Sequence, residues 1–180
     1  MKDATPKDWE IVLEYDKLLD NGLAERVLDH LSLLQWIPNG HPISQYEHSL
    51  QTATRAFRDG RDEDYVVCAL LHDIGDILSP HNHARLASTM LKPFVSDALC
   101  WMVDKHPVFQ SYHYYETLGR DPNGRAVFRD HPDFETAREI EAIMRAQTDA
   151  RGRAMEVIVL EAPKERYEHG EPLSCSYVNF

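Results

Sequence analysis

An ionisable pair, His72 and Asp73, follows directly on a run of apolar residues, 66–71, and this feature constrains the fold more than any other. The run is apolar on every side of a helix, so it predicts a central, buried helix over residues 62–74 with the pair at its C-terminal end. An ionised carboxylate left unpaired in such surroundings costs several kcal/mol. Asp73 therefore needs an Arg, a Lys, a charged His or a metal ion as its partner.

The pair also bears on how many ions such a site would hold. Adjacent residues of a helix point about 100° apart, so His72 and Asp73 are poorly arranged to chelate a single ion. Two neighbouring ions can instead be reached by one residue each, or by a bridging carboxylate. The sequence therefore favours a dinuclear site.

Three further histidines are placed to meet this pair. His106 shares a helical face with apolar residues three, four and seven positions before it, and His83 lies in the first turn of a helix with apolar residues three and four positions after it. His48 lies one turn into a helix that starts at Ser44, where Glu47 completes a capping-box pattern. Each histidine alone is more often a hydrogen-bonded core residue than a ligand. Four histidines from separate helices beside one Asp, however, fit a metal site at the centre of a helix bundle.

The rest of the chain is predominantly helical in pattern and shows no linker that would divide it. We expect a single all-α domain over residues 1–180. Residues 109–129 are predicted to form a loop-dominated cover and residues 155–160 a strand. The predicted helices are 9–34 with a break near 21–22, 44–58, 62–74, 82–91, 96–106, and 131–149.

The amino-acid composition excludes some classes of binding partner. The net charge is −11 and the basic residues are scattered, so nucleic acid and anionic membranes are not expected to bind. No apolar stretch reaches the roughly 18 residues of a membrane span, and no signal peptide is recognisable, so we expect a cytoplasmic protein. Three widely separated cysteines, Cys68, Cys100 and Cys175, predict buried free thiols and no disulfide framework.

Imidazole and carboxylate ligands without thiolate suit iron, manganese, zinc, cobalt or nickel. The other histidines are weaker candidates for ligands, and two of them, His41 and His113, are better placed in loops to contact substrate. The weaker candidates are His30, His81, His131 and His169.

The ordered set of His48, His72 and Asp73 in ALLHDIGD, His83 in HNHARLA and His106 in MVDKHPVF resembles the HD-domain superfamily. The run QYEHSLQTA and the two later histidines resemble its oxygenase branch, the mixed-valent di-iron oxygenases. The resemblance covers about residues 40–140. It implies an HD-type helical bundle with a dinuclear centre, in which these five residues are ligands and Asp73 is the bridging and catalytic carboxylate.

The resemblance further implies a Fe²⁺/Fe³⁺ pair as cofactor, with a small hydroxylated molecule and O₂ as substrates. Two cationic contacts of the phosphonate-cleaving members are replaced here by Gln110 and Asp76, so we expect a polar or cationic hydroxylated substrate. An aromatic run, residues 112–115, together with Tyr46, can hold a quaternary ammonium by cation–π contact. The same tyrosines can equally pack the covering loop against the core.

One ligand of the family pattern is missing. The last Asp of that pattern falls at Met144, so Asp149, Glu141 or a water molecule is expected to replace it. The tail, residues 141–180, departs from the pattern, through divergence or through an altered reading frame.

Two other functions stay open. The same metals can activate water in a phosphohydrolase, a phosphomonoesterase or nucleotidase, whose anionic substrate would need nearby cations. A non-catalytic metal-binding module is the third possibility. The cations close in sequence to the ligands are Arg55, Arg58, Arg85 and Lys105.

Overall fold

The computed structural model describes residues 3–36 and 43–144, with side chains as far as Ile140. Within these ranges the chain forms α-helices, short 3₁₀ helices and turns, and no strand. The all-α fold class is therefore confirmed. The strand predicted at 155–160 lies outside the described residues. The described residues fall into two compact units, 3–32 and 33–144. The expectation of one domain over the whole chain stays a prediction.

The first unit is a pair of helices, α1 (Pro6–Asn21) and α2 (Leu23–Ser32). A capping box starts α1, in which the Thr5 backbone N–H donates to the Asp8 carboxylate over 2.7 Å. The helices meet at Gly22, close to the predicted break. Because this glycine ends one helix as the next begins, the pattern of residues 9–34 is divided as the sequence indicates.

The second unit is a bundle of five α-helices. α3 packs against α4 and α7, while α6 packs against α4, α5 and α7 and so lies centrally. One 3₁₀ helix, Leu33–Trp36, contacts α3, and another, Pro122–Phe128, contacts α6. The helices are α3 (Gln45–Arg58), α4 (Glu63–Leu71), α5 (His83–Leu91), α6 (Asp97–Ser111) and α7 (Phe134–Met144).

The core of this unit surrounds α6. Met102, Val103 and Phe109 of α6 are fully buried, as is Ile140 of α7. Burial of such side chains supplies the main favourable term in folding. Polar residues buried in the same unit therefore stand out, and they include His48, His72, Asp73 and His106.

Two of the predicted thiols are described, and Cys68 and Cys100 are both free and buried, as expected. Burial raises the pKa of Cys68 to about 12, so its thiolate is strongly disfavoured. Cys175 lies outside the described residues.

No helix in the described part of the chain combines the length and apolar character that a bilayer crossing requires.

Candidate metal centre

The first turn of α3 is fixed by its cap, which confirms the predicted capping box. The Ser44 N–H donates to the Glu47 carboxylate over 2.8 Å, and the Glu47 N–H donates to the Ser44 hydroxyl over 3.1 Å. These bonds satisfy backbone donors that a helix start otherwise leaves open. His48, one turn further on, is 3% exposed, so the cap fixes the turn that presents it to the interior.

The pair His72–Asp73 lies just beyond α4 and not inside it. α4 was predicted to run to residue 74, but it ends at Leu71, and the chain turns with Ile74 N–H donating to the Leu71 carbonyl over 3.1 Å. The His72 Nε2 atom and the Asp73 Oδ2 atom lie 2.9 Å from one another. The two neighbours, expected to be poorly arranged for one ion, therefore contribute to the same group of candidate ligands.

Gly75 allows this turn to approach α5 closely. A Cβ atom at position 75 would lie 2.6 Å from the carbonyl oxygen and 2.8 Å from the Cα atom of His83. Real side chains do not tolerate such distances to backbone atoms. Glycine is thus required where the turn carrying Asp73 meets the helix start carrying His83.

Pro107 has an effect that sequence reasoning missed. α6 was predicted to end near His106, but it continues through Pro107 to Ser111. Proline has no N–H to donate to the carbonyl four residues earlier, at Val103. That carbonyl is instead 2.8 Å from Nδ1 of His106, which donates to it. Because of the proline, the Val103 carbonyl is available to accept a hydrogen bond from His106, and this bond orients the His106 ring.

The same arrangement recurs at two other histidines. Nδ1 of His72 lies 2.8 Å from the Ala69 carbonyl, and Nδ1 of His83 lies 3.1 Å from the Pro80 carbonyl, again three residues earlier in each case. A carbonyl oxygen only accepts hydrogen bonds, so Nδ1 carries the proton in each ring. Nε2 is then the nitrogen that remains to bind a metal, and outer hydrogen bonds of this kind orient metal-bound imidazoles.

The Asp73 carboxylate lies between two pairs of these Nε2 atoms. Its Oδ2 atom is 2.9 Å from His72 and 3.7 Å from His48, while its Oδ1 atom is 3.2 Å from His106 and 3.3 Å from His83. Each oxygen and its histidine pair form one group of candidate ligands. We call the group of His48, His72 and Oδ2 the inner position, and the group of His83, His106 and Oδ1 the outer position.

The spacing of the nitrogens fits metal ions. The two Nε2 atoms are 3.2 Å apart at the inner position and 3.3 Å apart at the outer position. Ligand atoms bound to one ion at about 2.1 Å with angles of about 90–110° lie roughly 3.0–3.4 Å from each other. Two nitrogen lone pairs at this separation repel unless a proton or a cation lies between them. The residues present therefore suit a metal ion at each position.

The two positions differ in their access to solvent. The side chains of His48, His72, Asp73 and His106 are at most 7% exposed, whereas that of His83 is 20% exposed. The outer position therefore includes the most exposed of the candidate ligands. The inner position is surrounded by buried side chains.

Electrostatics show what a metal would displace. Burial by itself would raise the pKa of Asp73. The charge of His72 and hydrogen bonds from His106 and His72 outweigh this effect and hold that pKa well below its usual value. Burial lowers the pKa of His72, yet the Asp73 carboxylate outweighs it and raises that pKa overall. Burial lowers the pKa of His106. Without metal, Asp73 is thus an anion beside a readily protonated His72, and no Lys or Arg of the described residues pairs with it.

Two polar neighbours of the centre, Gln45 and Asp76, were not predicted as partners of the ligands. The Gln45 side-chain amide donates to Asp73 Oδ2. Asp76 Oδ1 lies 3.1 Å from Nδ1 of His83. Burial, with the charge of Asp73, raises the pKa of Asp76 to about 6, although His83 opposes this. In the sequence, the only indication that Gln45 could lie near the centre is its position three residues before His48.

Three other polar residues lie close to the predicted ligands in the sequence, but their described bonds go elsewhere. Glu47 caps α3, Asp104 pairs with Lys105 over 2.6 Å, and Gln51 is buried with an Oε1 atom that has no partner among the described residues. Their nearness to ligands in the sequence was a poor guide, because side-chain direction depends on the packing of neighbouring helices.

The remaining candidates lie elsewhere or outside the described part of the chain. His81 is exposed, His131 stacks on Trp101 at 3.9 Å between ring centroids, and His113 contacts Tyr112. His30 lies on α2, in the other unit. Four of the predicted candidates lie outside the described part of the chain, namely His41, Asp149, His169 and the side chain of Glu141. The replacement for the last Asp therefore stays a prediction.

The aromatic run favours the packing interpretation over a pocket for a cation. Arg125 lies over the Tyr112 ring at 3.5 Å, and Arg120 lies over the Tyr115 ring at 5.6 Å. Tyr112 and Tyr114 are each 41% exposed. Two of these rings therefore already hold a cation of the chain itself, at the predicted cover that follows α6.

Comparisons with known proteins find two family patterns. The HD domain pattern matches residues 45–143, more than half of the chain, and the Porphyromonas-type peptidyl-arginine deiminase pattern matches residues 124–180. The departure of the tail from the HD pattern thus coincides with a likeness to another family.

Short stretches also match individual proteins. The chain is 50% identical over 40 residues to the [1-hydroxy-2-(trimethylamino)ethyl]phosphonate dioxygenase (glycine-betaine-forming) of Leisingera caerulea, which covers 22% of this chain and 20% of that protein. It is 38% identical over 52 residues to a protein assigned as an agmatine deiminase in Legionella pneumophila strain Paris, which covers 29% of this chain and 15% of that protein.

The HD match includes all five predicted ligands and every helix of the bundle from α3 onward. The match to the dioxygenase supports the resemblance to the oxygenase branch. HD proteins are metal-dependent enzymes, and the clustered His and Asp side chains of the centre have the chemistry to bind metal. On the extent of its match, this chain belongs to the HD domain family.

Proposed function

We propose that this protein catalyses the O₂-dependent oxidation or cleavage of a small hydroxylated substrate at a mixed-valent pair of iron ions. His48, His72, Asp73, His83 and His106 would hold the pair. The observation that carries the proposal is the Asp73 carboxylate, whose two oxygens face two separate pairs of imidazole nitrogens. A carboxylate that bridges two ions at short range suits chemistry in which both ions act on one substrate.

The residues leave room for substrates. Each position offers three protein donor atoms from the described residues, so an ion held there would have coordination sites left for a substrate hydroxyl or for O₂. Iron bound there would acidify the substrate hydroxyl and exchange electrons with O₂. The chain itself holds the imidazoles through their Nδ1 hydrogen bonds and excludes bulk water from the inner position.

The substrate that we propose is a small hydroxylated molecule with a cationic group. The matched dioxygenase is named for a hydroxylated phosphonate that carries a trimethylamino group, and that compound is the natural first test. Asp76, a half-buried carboxylate beside His83, replaces a cationic contact of the family and adds negative charge near the outer position. This charge favours a cationic substrate over a purely anionic one.

A metal-dependent phosphohydrolase, acting as a phosphomonoesterase or nucleotidase, is the alternative. The observation in its favour is Arg55, which lies on the same face of α3 as His48, two turns further on, and is partly buried so that desolvation lowers its pKa. Arg58 and Arg85 give less support, because both are exposed. Lys105 forms an ion pair with Asp104.

Anaerobic purification followed by an iron count and electron paramagnetic resonance after partial oxidation separates the two functions. The oxygenase predicts about two irons per chain, a mixed-valent signal that changes when hydroxylated ammonium compounds are added, and substrate-dependent O₂ uptake. Bound manganese, cobalt or nickel with turnover of phosphate esters and no O₂ uptake would refute it.

A further inference from the structure

A glutamine, Gln45, contacts the bridging carboxylate. Its side-chain N–H donates to Asp73 Oδ2, although the two residues are 28 positions apart in the sequence. Gln45 is the first residue of α3, directly after Ser44, and the capping box fixes the backbone there. The donor is thus carried on a well-anchored part of the helix and lies on the inner side of the carboxylate.

The other side-chain atoms that face the Asp73 carboxylate are the Nε2 atoms of four histidines, at 2.9–3.7 Å. These nitrogens are the ones that would bind the ions, so they cannot also serve as fixed hydrogen-bond donors to the carboxylate. Among the described residues, Gln45 is the partner of the carboxylate whose N–H does not belong to a candidate ligand.

The chemistry of an amide suits this task. A neutral amide donates a hydrogen bond without adding charge, whereas a Lys or Arg at position 45 would place a fixed cation beside the ions and weaken their binding. Hydrogen-bonded neighbours of metal ligands are known to set ligand orientation and metal affinity.

We infer that Gln45 is a positioning residue that holds the Asp73 carboxylate in its bridging orientation before metal arrives. Removing the amide therefore weakens chiefly the first binding step. The first bound ion then fixes the carboxylate by itself, so the second step changes less. The inference rests on the two-ion centre of the proposed function and does not depend on the reaction with O₂.

Anaerobic titration of the full-length, metal-free protein with Co²⁺ tests this, with calorimetry for the stepwise affinities and visible absorption for the coordination of each ion. Gln45→Met preserves the length of the side chain and removes its N–H. We expect the first step to weaken about 10- to 100-fold, the loss typical for removed partners of metal ligands, and the second step to weaken less. Gln45→Ala should reproduce the pattern if the Met variant folds poorly.

Gln51→Met is the matched control, because Gln51 is also a glutamine of α3 and is buried. Among the described residues its Oε1 atom has no hydrogen-bond partner, and no bond joins it to a candidate ligand. Gln51→Met should leave both steps within about twofold. An unchanged first step in both Gln45 variants, or an equal loss in Gln51→Met, overturns the inference. A wild-type protein that does not bind two Co²⁺ ions overturns the two-ion centre with it, whereas missing O₂ uptake with the Gln45 effect intact refutes the oxygenase alone.

Discussion

Replacing Gly75 by Ala gives a stringent test of the geometry at the outer position. The added Cβ would lie 2.6 Å from the His83 carbonyl oxygen and 2.8 Å from its Cα. Contacts to backbone need about 3.2 Å or more, so the start of α5 must move by roughly 0.5 Å, a forced overpacking that costs about 1–3 kcal/mol. A shift of that size at His83 Nε2 is a large fraction of a bond of about 2.1 Å to a metal.

Each 1.4 kcal/mol changes a dissociation constant tenfold. We therefore expect Gly75→Ala to weaken the binding of one metal ion about 5- to 150-fold. The ion at the inner position should be affected less, since none of its ligands lies on α5. Co²⁺ titration measures both steps. Gly124→Ala is the control, because its Cβ would meet only Val108 Cγ1, at an ordinary 3.6 Å. Two unchanged affinities in Gly75→Ala would refute the close approach that we describe.

Four further changes probe the centre. Asp73→Asn should lose both ions, measured by elemental analysis, and full metal content would contradict the bridge. Metal affinity should rise with pH through the raised pKa of His72 and level off above it, because the bound proton competes with metal below that pKa; an affinity that does not change from pH 6 to 8 would oppose this. Pro107→Ala supplies an N–H that competes for the carbonyl used by His106, so metal affinity should fall up to tenfold while the melting temperature does not decrease. Asp149→Asn should leave two ions bound, since each position already has three donor atoms among the described residues, and loss of one would identify Asp149 as a ligand.

The convergence of the ligands could be predicted because it depends on local patterns. His83 and His106 share helical faces with buried apolar residues, and helical spacing reveals such faces without knowledge of the fold. The cap at Ser44 likewise depends on residues four positions apart or less. These features place His48, His83 and His106 on the inner faces of their helices.

The parts that could not be predicted depend on contacts between distant segments. The bond from Gln45 to Asp73 requires the packing of α3 on α4, and no local pattern encodes it. α6 was expected to end near His106, but it continues through Pro107, and the neighbouring imidazole uses the carbonyl acceptor that proline, which has no N–H, leaves open. In both cases the unexpected feature orients a ligand of the candidate metal centre.

The charge of the proposed centre depends on the last ligand of the family pattern, which falls on Met144 here. That pattern implies two carboxylates on the ions, whereas the described residues supply one, Asp73. If a water molecule takes the place of the second, the proposed Fe²⁺/Fe³⁺ pair would retain one more positive charge in buried surroundings, which is costly unless an anion lies near. Asp76 lies behind His83 as such an anion, and nearby cations favour its ionised form despite the burial that raises its pKa. The outer position would then be the better compensated of the two, so a loss of metal should begin at the inner position when denaturant opens the protein at neutral pH, where Asp76 is ionised.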